Sequence, residues 1–470
     1  MSGCVVGPNY RPPTTVVPKA FKEGKQWKIA EPKDDWDRGR WWTVFHDSKL
    51  NELEDCLNLA NPNIQSAYHH YIQAKAMVDE ARSAYFPIVS FTETASAQKS
   101  GVSLFPGTFG GQTGTSPAAA GIVQSHTFIF NASWQPDLWG LVRRTVEANE
   151  AAAQASAALL ANTRLSMQGS LAQTYFELRT LDSDQRILDK TVVLYQKSFA
   201  LMQNQYRSGI VSEANVLQSK SALESAQASA INNRINRAVY EHAIAVLIGR
   251  PPGAFSLSPK PLTKEPPTIP GIVPSELLER RPDIAQAERT MKQLNAQIGA
   301  TIAAYFPTLS LSANIANSGV SHLGTGWGWA TGEQSNAIIF NGGLFAARVK
   351  AARAAYSSSI ASYRQVVLAA FQNVEDNLAT LNILIEESVV QRQALNTIRQ
   401  SQRITQNQYQ SGVVDYSGVI NAQISTFTAE KALSDVTGQR FNAAVGLVMA
   451  LGGGWHEHCK SNILPKMTKQ

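Results

Sequence analysis

Between Leu188 and Tyr206 the apolar residues Leu188, Val192, Tyr195, Phe199, Met202 and Tyr206 step by four and three, the spacing of a coiled-coil seam. Val374, Leu378, Leu381 and Ile385 repeat that spacing later in the chain. No proline lies between Pro136 and Pro251, or between Pro307 and Pro465, so both stretches permit uninterrupted helices. A helix from Leu141 to Tyr206 would be about 100 Å long at about 1.5 Å per residue, far beyond a globular helix. Elsewhere the period is two. Leu309, Leu311, Ala313 and Ile315 alternate with Ser310, Ser312 and Asn314, and Phe128, Phe130, Ala132 and Trp134 alternate with Thr127, Ile129, Asn131 and Ser133. Val89, Phe91, Ala95 and Ala97 alternate with Ser90, Thr92, Thr94 and Ser96, and Glu93 is the exception on the apolar side. Trp327 and Trp329 in "GTGWGWATG" fit either a fourth strand with an aromatic girdle or a loop.

The chain is written twice. A shift of 203 residues carries "YRSGIVSEANVLQ" from Tyr206 onto "YQSGVVDYSGVIN" from Tyr409, and Gly140, Gly209 and Gly249 onto Gly343, Gly412 and Gly452. "AYFP" at Ala84 and Ala304 ends the first helix of each copy, where Pro87 and Pro307 stop a helix and open a strand. The predicted organisation is an N-terminal extended segment 1–46, a first repeat 47–253, a Pro-rich linker 254–273, a second repeat 274–455 and a tail 456–470. The first repeat holds helix 48–84, strands 87–98 and 122–135, long helix 140–206 and helix 212–249. The second holds helix 275–304 with Ser275 as N-cap, strands 307–317 and 325–339, long helix 343–409 and helix 414–451. Gly209 and Gly412 are the expected helix stops at the hairpin tips.

Strands with one apolar and one polar face match membrane barrels, although a half-buried soluble sheet alternates in the same way. Two features favour the barrel: helices too long for a compact globule, and the loop "SGVSLFPGTFGGQTGTSPAAAG", which has the composition of an exposed loop. Four strands cannot close a barrel, so the wall is expected to be shared among protomers. No run reaches the roughly 18 apolar residues of a membrane-spanning helix. The 470 residues are 44% hydrophobic and 17% charged with net charge +6, and the basic residues are spread along the helices rather than gathered, which argues against nucleic acid. No nucleotide loop, nucleophile elbow or triad is present, so an enzyme has no residues to rest on.

The three cysteines are too few for a disulfide framework. Cys4, in "SGCVVGPNYRPP", suits a lipid-modified N-terminus, and Cys56 and Cys459 are left either unpaired or free to pair. "WHEHC" near the C-terminus holds three possible ligands in a polar tail, and no metal site is expected there.

"GCVVGPNYRPP", "RWWTVFHDSKL", the two "AYFP" stretches, "DLWGLVRRTVEA", "LIGRPPG", "LLERRPDIAQAE" and "FNGG" together resemble the TolC-like outer-membrane factors, in the lipoprotein branch that serves resistance–nodulation–division efflux pumps. The resemblance covers nearly the whole chain. It implies an internally duplicated α+β membrane protein, with long antiparallel helical hairpins forming a periplasmic α-barrel and four strands per protomer entering a shared twelve-stranded β-barrel. It further implies a homotrimer in the bacterial outer membrane, anchored by a covalent lipid on Cys4 and carrying no other cofactor. Such a chain acts as a passive conduit for drugs or other toxic small molecules, in complex with a periplasmic adaptor and an inner-membrane transporter. Metal-ion efflux or type I secretion through the same architecture is the alternative. The resemblance places the gate at the helical tips, near Tyr206 and Tyr409. Relatives carry ring-forming acids just after the second tip, where this chain has Gly418 and Asn421, with Asp415 nearby but not at a matching position. Tyr409 matches a tyrosine that holds the closed tip in relatives, and its matching partner here is Asn215.

Overall fold

The computed structural model describes residues 5–13, 39–99, 122–262, 265–267, 281–320 and 324–453. Its helices are α1 (Ser48–Ala60), α2 (Pro62–Ser83), α3 (Leu141–Arg207), α4 (Glu213–Leu247), α5 (Pro282–Ala303), α6 (Leu344–Gln410) and α7 (Tyr416–Ala450). The strands are β1 (Ile88–Lys99), β2 (Ile122–Trp134), β3 (Thr308–Val320) and β4 (Gly324–Asn336). Both long helices have 67 residues and both return helices have 35. The chain divides into two units, one of residues 1–12, 73–153 and 289–360, the other of residues 13–72, 154–288 and 361–470.

The first unit contains an antiparallel sheet in the order β1-β2-β3-β4. Its register sets Phe91, Phe130, Ile315 and Trp329 in one transverse row, and Glu93, Phe128, Asn317 and Trp327 in the next. Because side chains alternate across a strand, all eight lie on one face with Val89, Ala132, Ala313 and Leu311. The other face carries Ser90, Thr92, Asn131, Ser312 and Asn314, with Gly326, Gly328 and Gly332 from β4. Every residue of β1 and β4 is exposed. "GTGWGWATG" is therefore strand rather than loop, and β4 ends at Asn336 instead of 339. The third strand runs to Val320, past the expected 317, because Val320 still pairs with Gly324 at the turn.

In the second unit the expected helix 48–84 is broken at Asn61. Pro62 pushes the preceding residue out of the helical region, and Asn61 adopts φ −68°, ψ 122°. Its side chain uses the break: Nδ2 donates to Leu247 O at 2.7 Å, and Oδ1 accepts from the amides of Asn63 and Ile64 at 2.9 and 3.1 Å. The end of α4 and the start of α2 thus lose their orphan groups to one residue. A short 3-10 turn, Trp41–Phe45, lies in the segment expected to be extended. Trp41, Trp42, Phe45, Leu50, Leu57, Tyr175, Phe176, Ile244 and Phe441 form the main core. Glu54 is buried beside it with both oxygens unpartnered, and burial pushes its carboxyl well above the ordinary range, which keeps it neutral. For α5, the described residues begin at Arg281, so the Ser275 cap lies outside them.

Helix α3 has α4 on one side and α7 on the other. Asn233 of α4 donates to Leu181 O and Gln185 Oε1 of α3, and Gly438 of α7 lies so close to Thr180 that a Cβ there would overlap it. Helix α6 flanks α7, where Gly446 lies against Asn377. On the coiled-coil seam Leu188, Tyr195 and Met202 are buried, but Tyr206 and Ile385 are exposed. Past Gly249 the Pro-rich segment is clamped to α3 and α4. Asp182 pairs with Arg179 (2.9 Å) and Arg237 (2.7 Å) and accepts the Lys260 amide at 2.8 Å. Arg179 in turn donates to Ser258 O, and Ser183 Oγ accepts from the Leu262 amide.

Candidate functional site

The two tips close in the same way. Gly209 and Gly412 have φ of +71° and +74°, a conformation that glycine adopts without steric cost. The amides of Gly209 and Ile210 donate to Tyr206 O and Gln205 O, and those of Gly412 and Val413 to Tyr409 O and Gln408 O, all at 2.8–2.9 Å. These paired bonds cap the last carbonyls of α3 and α6 and turn the chain sharply into the return helices. Asp415 caps α7 by accepting from Gly418 N at 3.2 Å. The Ser417 hydroxyl, together with that amide, holds its carboxyl below the ordinary range. Ser212, one repeat earlier, caps α4 without a side-chain bond.

Tyr409 does not meet Asn215. Its phenol donates to Gln205 Oε1 at 2.8 Å, and its ring stands edge-on to Tyr416 with centroids 5.3 Å apart. Asn215 is held only through its backbone amide, which donates to Ser212 O at 3.1 Å. The reason is geometric: Gln205 sits on the final turn of α3 beside the α6 terminus, whereas Asn215 has already turned into α4. "NQY" occurs at both tips, 204–206 and 407–409, and that repeated glutamine was the available sign in the sequence. Beneath the tyrosine, Met202, Tyr416, Val419 and Ile420 form a small buried cluster. Gly418 is half-buried and Asn421 exposed, and neither position offers a carboxylate.

The family model for outer membrane efflux proteins matches residues 57–250 and 273–453. The chain belongs to this family. It is 27% identical to the probable efflux pump outer membrane protein TtgC of Pseudomonas putida over 464 residues, covering 97% of this chain and 94% of that one. It is 26% identical to the cation efflux system protein CusC of Escherichia coli K12, covering 97% of each chain. The fold superposes on the outer-membrane channel OprN with a TM-score of 0.80 at 25% identity, covering 96% of this chain and 100% of that one.

This outer-membrane efflux protein is a channel component and not an enzyme. No described helix is long and apolar enough to cross a membrane. Among the described residues no group of His, Cys, Asp and Glu is arranged to hold a metal. "WHEHC", Cys459 and Cys4 lie outside the described residues, and Cys56 is a free, half-buried thiol.

The helix-to-strand junctions of the efflux protein are built alike. Tyr85 and Phe86 close the turn before Pro87, as Tyr305 and Phe306 do before Pro307, through amide bonds of 3.0–3.2 Å to the preceding helical turn. An indole locks each junction: Trp134 Nε1 donates to Tyr85 O at 3.1 Å, and Trp139 Nε1 donates to Pro307 O at 2.8 Å. Between β2 and α3 the N-terminal residues are seated against this region. The Val6 amide donates to Trp139 O, and the buried Arg144 donates to Val6 O, Gly7 O and Asn9 Oδ1 at 3.0–3.2 Å. Asn295 Nδ2 adds a bond to Pro8 O at 3.0 Å. No periodic signal in the sequence marks Arg144 or Asn295.

Proposed function

We propose that three copies of this chain form a passive efflux conduit, with their sheets closed into one twelve-stranded barrel in the outer membrane. The observation that carries this reading is the open sheet: β1 and β4 are both free edges, and the face bearing Phe91, Phe128, Phe130, Trp327 and Trp329 is uncovered. Unpaired edges are not tolerated in hydrocarbon, and an apolar face of this width in water invites aggregation, so further copies of the same sheet answer both problems. On this reading the aromatic face meets lipid and the hydroxyl- and glycine-rich face meets the lumen. An internal duplication is supported by the two separate family-model matches and by the equal lengths of the paired helices. TtgC and CusC carry different printed cargoes, so the proposed cargo is a class, toxic small molecules, with metal ions as the second reading.

The helical tips form the periplasmic gate, with Tyr409 latched to Gln205. Removing one neutral hydrogen bond costs about 0.5–1.5 kcal/mol, enough to shift a closed–open balance by roughly two- to tenfold. In planar bilayers, Tyr409→Phe is therefore expected to raise mean conductance above that of the unsubstituted protein. Equal conductance would remove Tyr409 from the gate, and no conductance from either protein would remove the channel.

A periplasmic adaptor and a resistance–nodulation–division transporter complete the pump, and a lipid on Cys4 anchors the chain. The seat that Arg144 builds for Val6, Gly7 and Asn9 beside the β2–α3 junction supports the anchor, because it holds the first described residues where a strand gives way to a helix. One in-cell experiment addresses both partners: a photo-cross-linking residue at Ile210, followed by mass spectrometry of the captured complex. Adaptor peptides and an acylated Cys4 peptide are expected. An unmodified Cys4, or tips that capture no envelope protein, would count against the corresponding assignment.

A further inference from the structure

The bare apolar side chains of the return helix α4 form a set. Leu217, Ile231, Ile235, Val239 and Val246 are each 58–61% exposed, and on α6 Ile383 and Val390 are 62% and 63% exposed. Helices α4 and α6 are the two flanks of the four-helix arrangement, with α3 and α7 between them. In water such stripes cost free energy unless something covers them.

The 203-residue repeat names the cover. It carries the five α4 residues onto Ile420, Ser434, Gly438, Asn442 and Met449 of α7. Those are the positions at which α7 meets α3. Gly438 lies under Thr180, Met449 against Gly169, and Asn442 donates to Glu177. Ser434 bonds Asp184, and Ile420 clusters with Met202. The same shift carries Thr180, Asp184 and Ile187 of α3 onto Glu387, Ile383 and Val390 of α6, with Thr180 answering to Ile383 and Asp184 to Glu387. The face by which the long helix of the first copy holds the return helix of the second is thus written again, without a partner, on α6 and α4.

We infer that α6 of one protomer packs antiparallel against α4 of the next in the register of the internal α3–α7 contact, so that Ile383 faces the partner's Ile235 and Val390 the partner's Ala228. The inference rests on the trimeric reading above and specifies its helical seam. Charge agrees with it. Ser183 and Thr437 line one groove between α3 and α7, and their repeat equivalents are Glu386 and Arg234. Both are exposed, as is Glu387, so the seam brings two carboxylates to one guanidinium. One heptad from Ile383, the exposed Asp376 faces the partner's His242. The seam is wider than its template, because two isoleucines replace the Thr180–Gly438 approach.

The test is a chain carrying Ile383→Cys and Ile235→Cys, treated with a short bismaleimide and run on a denaturing gel, beside each single variant and beside Ile385→Cys with Ile235→Cys. Native mass spectrometry reports the oligomer in each preparation. Covalent dimers and trimers from the 383/235 pair, and not from the controls, are the expected result. A trimer in native mass spectrometry without that ladder, or with an equal ladder from the 385/235 pair, overturns the seam and leaves the trimer standing. A monomeric unsubstituted chain overturns both.

Discussion

Asp182→Ala is expected to lower the stability of the helical unit by about 3–5 kcal/mol, the loss typical of breaking a buried ion pair from one side. Asp182 is almost fully buried and is shared by two arginines and a backbone amide. Its removal strands the Arg179 guanidinium, which is 4% exposed, and frees the Pro-rich segment that Lys260 N tethers. Arg237 keeps Glu241 at 2.9 Å, so the damage centres on Arg179 and on the segment after Phe255. Thermal or denaturant unfolding in detergent measures the loss, with the exposed Asp189→Ala as a control expected within about 0.5 kcal/mol. A loss for Asp182→Ala no larger than for the control would mean that the clamp adds nothing to the fold.

The second large effect separates two glycines that occupy the same capping position. Gly209 and Gly249 have φ of +71° and +70°, so alanine at either incurs the left-handed cost of about 1–2 kcal/mol. Nothing lies within 4 Å of a Cβ at Gly209, whereas one at Gly249 would overlap the carbonyl of Ala60. That carbonyl cannot swing away cheaply, because Asn61 is pinned between Leu247 O and the first amides of α2. Gly249→Ala therefore carries a further 1–3 kcal/mol or so of overpacking, and the difference between the two variants isolates it. Equal melting temperatures for the two variants would show that Ala60 moves aside.

Periodicity made most of the architecture readable. The 3.5-residue seam, the two-residue alternation and the repeated "YFP" and "SG" stops are local signals, and each is followed by the element it announces. Asn61 was missed for a definite reason: proline at the first position of a helix is favourable, so "NPN" can begin one helix as readily as interrupt another. Gln205, Arg144 and the Asp182 clamp escaped because their partners lie 52 to 204 residues away or on backbone atoms with no side-chain signature. Asn215 was assigned to Tyr409 by position within the repeat, and the final turn of α3 placed a different amide closer. The exposed stripe on α4 was written in the sequence as well, but it has no meaning until α3 and α7 are seen together.

The polar side of the sheet carries hydroxyls, amides, small side chains and bare glycine backbone, and the described residues place no ionisable group on it. If that side lines the exit, a solute leaving the cell meets little there that water does not already offer, and no fixed charge to hold or repel it. Residence on such a wall is brief and its free-energy profile is shallow. Discrimination among solutes would then be completed before they reach the membrane, and the last stretch of the route would serve for release alone.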